Sequence, residues 1–200
     1  MKTLLQLNSS IFSSGGQSTQ LADQFVSAWH IKEPETQIII RDLASDPIPH
    51  LDAQRVLAFF AQPETRTPEQ QAYIAESDRL IDEIKQARII VIGLPMYNFG
   101  IPSTLKAYFD QIARAGVTFR YTENGPEGLL TGKKVYIFAT RGGLYAGTPL
   151  DSQTDYVRDF LGFLGITDVE FIYAEGLNTS ETAKEAALNQ AKLRITELTA

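Results

Sequence analysis

Cysteine is absent from this 200-residue chain, and histidine occurs only twice. Without cysteine there are no disulfides, no thiolate metal sites and no dithiol redox chemistry. The absence accords with a reducing cytoplasm, where the protein is expected. His30 and His50 stand far apart, with no second histidine at ligand spacing, which argues against zinc. No run of 18 apolar residues occurs, so no membrane span is expected. The opening "MKTLLQLNSS" has too short an apolar run for a signal peptide and no small-residue cleavage site, so it reads as a strand. Clusters of Lys or Arg are also missing. With 18 basic and 24 acidic side chains the net charge is −6, which argues against nucleic acid and against an anionic membrane surface. Nor does the chain show a nucleophile–base pair, a carboxylate dyad or a catalytic histidine. No side chain is therefore named as catalytic.

What is present is alternation. Apolar runs rich in Ile, Val and Leu are followed by segments with helical spacing. The strands are expected at 3–7 ("TLLQL"), 36–43 ("TQIIIRDL"), 88–94 ("RIIVIGL"), 133–140 ("KKVYIFAT") and 168–177 ("DVEFIYAEGL"). After the first comes "STQLADQFVSAWH", with Leu21, Phe25 and Trp29 one turn apart. A second helix opens at "TPEQ", where Thr67, Pro68 and Gln70 form a capping box with the favoured proline, and Ile74, Ile81 and Ile84 mark its buried stripe. Further helices are expected from Ser103 to Gly116, over 154–165, and from Ser180 to the end. A loop with Pro47 and Pro49 joins the second strand to the helix opening at Thr67, so no element is expected over 55–62. Residues 117–132 form a long connection with turn signals at Asn124-Gly125-Pro126 and aromatics that suit a short hairpin. Five strands each followed by a helix give an α/β three-layer sandwich, a parallel sheet with helices on both faces in one domain over 1–200; the flavodoxin-like order 2-1-3-4-5 is expected because it makes neighbours of strands 1, 3 and 4, whose following loops are unusual.

In such a sheet ligands bind at the carboxyl ends of the strands, near the point where strand order reverses. Three of these ends carry unusual loops. "NSSIFSSGGQST" offers hydroxyls and bare amides ahead of a helix, as an anion site requires. It lacks the lysine of a P-loop and the glycine pattern of dinucleotide folds, so a single phosphate monoester fits it better. "PMYNFGIP" offers Met96, Tyr97 and Phe99 as apolar faces and the Asn98 amide as a donor. "TRGG" offers two glycines where backbone must come close to something. Each loop alone also admits a plain structural reading: a helix cap, core side chains at a strand end, a tight turn. Taken together they describe a flat ring with a phosphate at one end, as in FMN.

The stretches "SSI…GQS", "PMYNF", "DQIARAGVTFRYTENGPEGLLTGKK", "TRGG" and "FLGFLGITDVEFIYAEG" resemble the FMN-dependent NADH-azoreductases, which are also NADH:quinone oxidoreductases. The resemblance runs from the first strand to the last. It implies a homodimer with FMN at each subunit interface and NADH as electron donor, reducing an azo compound or quinone in a second, ping-pong half-reaction. It places the phosphate on Ser10, Gly16, Gln17 and Ser18, where Gly16 departs from the family's usual Ser. It places the ring on Met96, Tyr97, Asn98 and Phe99, and its other edge on Thr140, Arg141, Gly142 and Gly143, with Thr140 in place of the usual Ser. Tyr121 and Phe163 fall on the substrate side, the latter as Phe163 of the partner subunit. The segment "RVLAFFAQ" matches poorly and carries no expected contact. "DFLGFLG" (159–165) is apolar on more than one helix face, which calls for a second packing partner. Two other readings remain: a flavodoxin-type electron carrier without its own substrate, and a nucleotide-binding module without flavin.

Overall fold

The computed structural model describes residues 2–200. Strands too uniformly apolar to have a wet face stack into one sheet. β1 (Thr3–Asn8), β2 (Gln37–Asp42), β3 (Ile89–Pro95), β6 (Lys134–Thr140) and β7 (Asp168–Ala174) pair in parallel in the order β2-β1-β3-β6-β7. This is the expected order. A two-stranded hairpin, β4 (Phe119–Thr122) with β5 (Gly125–Gly128), stands outside the sheet. Alternate residues of each strand feed opposite cores. Leu5, Leu7, Ile90, Ile92, Val135 and Ile137 pack against α3 (Pro68–Gln86), α4 (Ser103–Ile112) and α5 (Thr154–Phe163). Leu4, Val91, Tyr136, Phe138 and Ile172 pack against α1 (Gln17–Lys32) and α6 (Glu181–Thr199).

Most helix boundaries follow from local chemistry. The capping box is formed: Gln70 N donates to Thr67 Oγ1 at 3.2 Å, and Thr67 N donates to Gln70 Oε1 at 3.0 Å. Ser180 caps α6 by accepting from Ala183 N at 3.1 Å. Three expectations are corrected. α4 stops at Ile112, not near Gly116, because the Thr118 hydroxyl takes over its end. That hydroxyl donates to Ile112 O at 2.6 Å and accepts from Arg114 N at 3.0 Å. Gly116, with φ +76°, lies in the turn beyond. Strand β7 ends at Ala174, because Gly176 turns the chain with φ +73°. The loop expected around 55–62 is largely a helix, α2 (Ala53–Phe60), started by Asp52 accepting from Arg55 N and tied to α3 by an Arg55–Glu76 ion pair at 2.5 Å.

The second apolar face of α5 also finds its partner within the chain. Phe160 stacks on Phe109 of α4 at 4.2 Å between ring centroids, and Phe163 meets Phe119 of the hairpin at 4.3 Å. Gly128 and Gly165 let the two backbones touch: a Cβ on Gly128 would overlap the Gly165 amide nitrogen. Leu130 N then donates to Leu164 O at 2.8 Å. The pattern at 159–165 is thus satisfied by α4 and the hairpin, and does not by itself call for another subunit.

Candidate functional site

Because β1, β3 and β6 are neighbours, their three following loops lie side by side. The first is tied to the strand next to it. Ser9 Oγ donates to Gly93 O at 2.7 Å, Phe12 N donates to Ser10 Oγ at 3.2 Å, and Ser10 Oγ lies 3.3 Å from the Tyr97 hydroxyl. Gly16 is the N-cap of α1 and provides no side-chain cap. A Cβ there would overlap Ser10 Oγ, which is a physical reason for glycine at this position. Gln17 and Ser18 begin the helix. The Ser18 hydroxyl is buried and has no hydrogen-bond partner among the described residues. A Cβ on Gly93 would sit 3.1 Å from the Ser18 carbonyl, so the start of α1 rests directly on β3. No Lys or Arg occurs from 10 to 18.

The second loop is a closed two-residue turn. Tyr97 N donates to Gly100 O at 3.1 Å, and Gly100 N donates back to Tyr97 O at 2.9 Å. Asn98 and Phe99 between them both have positive φ, +50° and +62°. Asparagine tolerates this region; for phenylalanine it costs about 1–2 kcal/mol. The Asn98 and Phe99 amides have no acceptor among the described residues. The Phe99 ring is 52 % exposed and meets Tyr145 edge-on at 5.5 Å. Buried Gln153 braces the turn, its Nε2 donating to Pro95 O at 2.9 Å and Gly100 O at 2.8 Å. Ser152 Oγ donates to the Phe99 carbonyl.

The third loop leaves β6 at Thr140, whose carbonyl accepts from Met96 N at 2.9 Å. Arg141 is fully buried and its charge is spent inside the protein. It pairs with Asp151 at 2.7 Å and Glu175 at 3.1 Å, and donates to Thr154 Oγ1 at 3.0 Å. Burial alone would push the Asp151 carboxyl up, but hydrogen bonds from Arg141 and Thr154 outweigh it and hold the group below its ordinary range. Glu175 also accepts from Tyr145 N and Ala146 N, both at 2.9 Å. Arg141 therefore supports the loop; its side chain does not offer a charge to a ligand. A Cβ on Gly142 would lie 2.6 Å from Asn178 Nδ2, and one on Gly143 would lie 2.7 Å from the Tyr145 ring.

Met96, Asn98, Phe99, Gly142, Tyr145 and Asn178 line a hollow of about 260 Å³. Sequence reasoning missed Tyr145, Gln153 and Asn178. Asn178 follows β7 on a fourth loop at the same end, joined to the third by Asn178 N donating to Gly142 O at 3.0 Å. Larger hollows lie elsewhere, along β7 and α6 and at the amino ends of the strands. Another, of about 490 Å³, lies between α2, the end of α4 and the hairpin, lined by Phe59, Phe60, Arg114 and Tyr121 among others.

Tyr121 and Phe163 are not brought to this site within one chain. α4 and α5 carry the chain back to the amino ends of the strands, where the hairpin sits before β6 and Gly165 shares a hollow with Lys2 and Arg88. The carboxyl-end cluster itself suits a ligand with a phosphate at one end and a planar ring at the other. An uncapped helix start with an unpartnered hydroxyl meets the first requirement, and free turn amides beside aromatic side chains meet the second.

Comparison with known proteins points the same way. Residues 1–198 match a family model described as a flavodoxin-like fold. The chain is 57% identical over 195 residues to an FMN-dependent NADH:quinone oxidoreductase of Cellvibrio japonicus (strain Ueda107), covering 98% of this chain and 97% of that protein. It is 56% identical to a protein of the same description from Alcanivorax borkumensis, covering 94% and 96%. Among solved structures it resembles an azoreductase from Bacillus anthracis str. Sterne, with a TM-score of 0.91 at 26% identity over 100% of this chain and 99% of that one. An FMN-dependent NADH-azoreductase from Bacillus anthracis str. Ames Ancestor, in complex with FMN, superposes with a TM-score of 0.88 at 26% identity over the whole of both chains.

Proposed function

This chain belongs to the family of FMN-dependent NADH:quinone oxidoreductases and azoreductases, with their flavodoxin-like fold, and from that premise we infer that it is an oxidoreductase passing electrons from NADH to quinones and azo compounds. One observation supports the inference most directly: an uncapped helix start with a partnerless buried Ser18 hydroxyl shares the carboxyl end of the sheet with a strained turn whose amides are free.

Ser10, Gly16, Gln17 and Ser18 are assigned to the phosphate of FMN. The absence of Lys and Arg in that loop makes the binding one of neutral donors and helix dipole. Met96, Tyr97, Asn98 and Phe99 are assigned to one edge of the ring system. Thr140, Arg141, Gly142 and Gly143 are assigned to the other, Arg141 through its backbone. Bound FMN supplies the hydride chemistry that no side chain here can. The chain's own work is placement. The Asn98 and Phe99 amides offer donors to the polar edge of the ring, the glycines admit it closely, and Phe99 and Tyr145 keep water from its face. NADH and the acceptor occupy one slot in turn, which makes the kinetics ping-pong.

We assign a homodimer as the working form. The substrate-side residues Tyr121 and Phe163 belong to the far end of their own subunit, so they can complete the slot only from a second copy. No helix among the described residues is long and apolar enough to cross a membrane, and a cysteine-free chain suits the cytoplasm, where we place the enzyme. The test is spectroscopic. The purified protein is expected to be yellow, to bleach with NADH under anaerobic conditions and to regain its colour when a quinone is added. A yellow protein that does not respond to NADH would instead be a carrier, and a colourless one that takes up no added FMN would end the flavin reading.

A further inference from the structure

We propose that Gln153 is a positioning residue for the flavin, a buried amide that holds the Asn98–Phe99 turn in its strained form before the ring arrives. The proposal rests on the FMN reading above. Gln153 is 0 % exposed and stands at the N-cap of α5, yet it makes no capping hydrogen bond to its own helix. Its amide nitrogen instead reaches across to β3 and the turn. One N–H donates to Pro95 O at 2.9 Å and the other to Gly100 O at 2.8 Å. Those carbonyls flank the turn on both sides, so one side chain fixes its entry and its exit. A terminal amide is suited to this: it has two donors on one planar nitrogen and carries no charge to desolvate.

The turn needs such a brace. Phe99 sits at φ +62°, a region its side chain disfavours, and such conformations persist only where the surroundings over-determine them. The two residues before Gln153 serve the same structure. Ser152 Oγ donates to the Phe99 carbonyl, and Asp151 is locked to Arg141 at the opposite loop. The start of α5 thereby couples the loop assigned to one flavin edge with the loop assigned to the other. Without Gln153 the turn would relax toward negative φ, and the free amides would lose their direction.

The experiment uses the full-length holoenzyme, loaded with FMN or with riboflavin, and follows flavin fluorescence released on dilution. Gln153→Met keeps the length and removes both donors. It is expected to weaken FMN and riboflavin by the same factor, on the order of tenfold for two lost buried hydrogen bonds, and to shift the visible bands of the bound flavin. Gln153→Glu is expected to bind as weakly at neutral pH and to recover affinity as acid protonates the carboxyl, since the neutral acid regains one donor. Neither the unmodified protein nor Gln153→Met should show that recovery. Unchanged binding of both flavins by Gln153→Met would overturn the proposal. So would a loss confined to FMN, or a Gln153→Glu pH profile that follows the unmodified protein. If Gln153→Met does not fold, the Gln153→Glu profile decides alone. Failure of the unmodified chain to bind either flavin would overturn the functional reading, and this one with it.

Discussion

Ser18 and Asp151 show how single residues divide the work of the site. The Ser18 hydroxyl is buried without a partner, a state a protein rarely maintains for structure alone. Ser18→Ala is expected to weaken FMN by about 1.5–3 kcal/mol, the range for a lost hydrogen bond to a charged group, and to leave riboflavin binding unchanged. Comparing the two dissociation constants checks this; an equal loss for both ligands would remove Ser18 from the phosphate site. Asp151 acts at a distance. Because its carboxyl is held low in the folded protein, its contribution to stability is present above the ordinary aspartate pKa and is lost as pH falls through the lower, folded value. Asp151→Asn should therefore cost about 1–3 kcal/mol near neutrality. The gap should close in strong acid, as melting curves of the two proteins across pH would show. The family resemblance placed Arg141 among the ligand residues. It could not show that Asp151 and Glu175 would claim its charge.

At the scale of elements, the hairpin lies against α5 through a close backbone contact at Gly128 and Gly165, beside the Phe119–Phe163 pair. Gly128→Ala places a Cβ onto the Gly165 amide. Overpacking against backbone costs about 1–3 kcal/mol and should free β4–β5 from α5. The checks are a lowered melting temperature and hydrogen exchange rising in 117–130 while the central sheet stays protected. The sheet itself was readable from sequence. Fully buried parallel strands leave long apolar runs, and the capping box at Thr67 is a purely local signature. What escaped was α2, a short helix of 53–60 whose start rests on one Asp52 cap ahead of Val56 and Leu57. The early end of α4 also escaped, because Thr118 acts from six residues beyond Ile112. Three loops of the site were legible as odd compositions at strand ends. Tyr145, Gln153 and Asn178 were not, since nothing local distinguishes a glutamine whose partners are carbonyls more than fifty residues away.

For the whole molecule, the assigned site residues fall at opposite ends of one sheet. Tyr121 is 75 % exposed, so replacing it leaves the fold of its own subunit intact. Phe99→Asp damages the ring loop, and Tyr121→Asp damages the face offered to a second copy. Each variant alone should be nearly inactive. Mixed and allowed to exchange subunits, they should recover about a quarter of full activity, because half of randomly paired dimers are hybrids with one intact site. No recovery, despite hybrids detected by native mass spectrometry, would mean that each chain completes its own site.

The Asn98–Phe99 turn finally bears on how this protein would respond to redesign. A two-residue turn with positive φ at both positions is most at ease as Asn-Gly. Any scheme that picks residues to suit the backbone, or ranks variants by heat resistance alone, would be drawn to write glycine at 99. The result would be a calmer chain that had discarded an aromatic wall of its own cleft. A misfit of this kind is information: it marks a position answering to something outside the polypeptide, and it can be found without knowing what that something is.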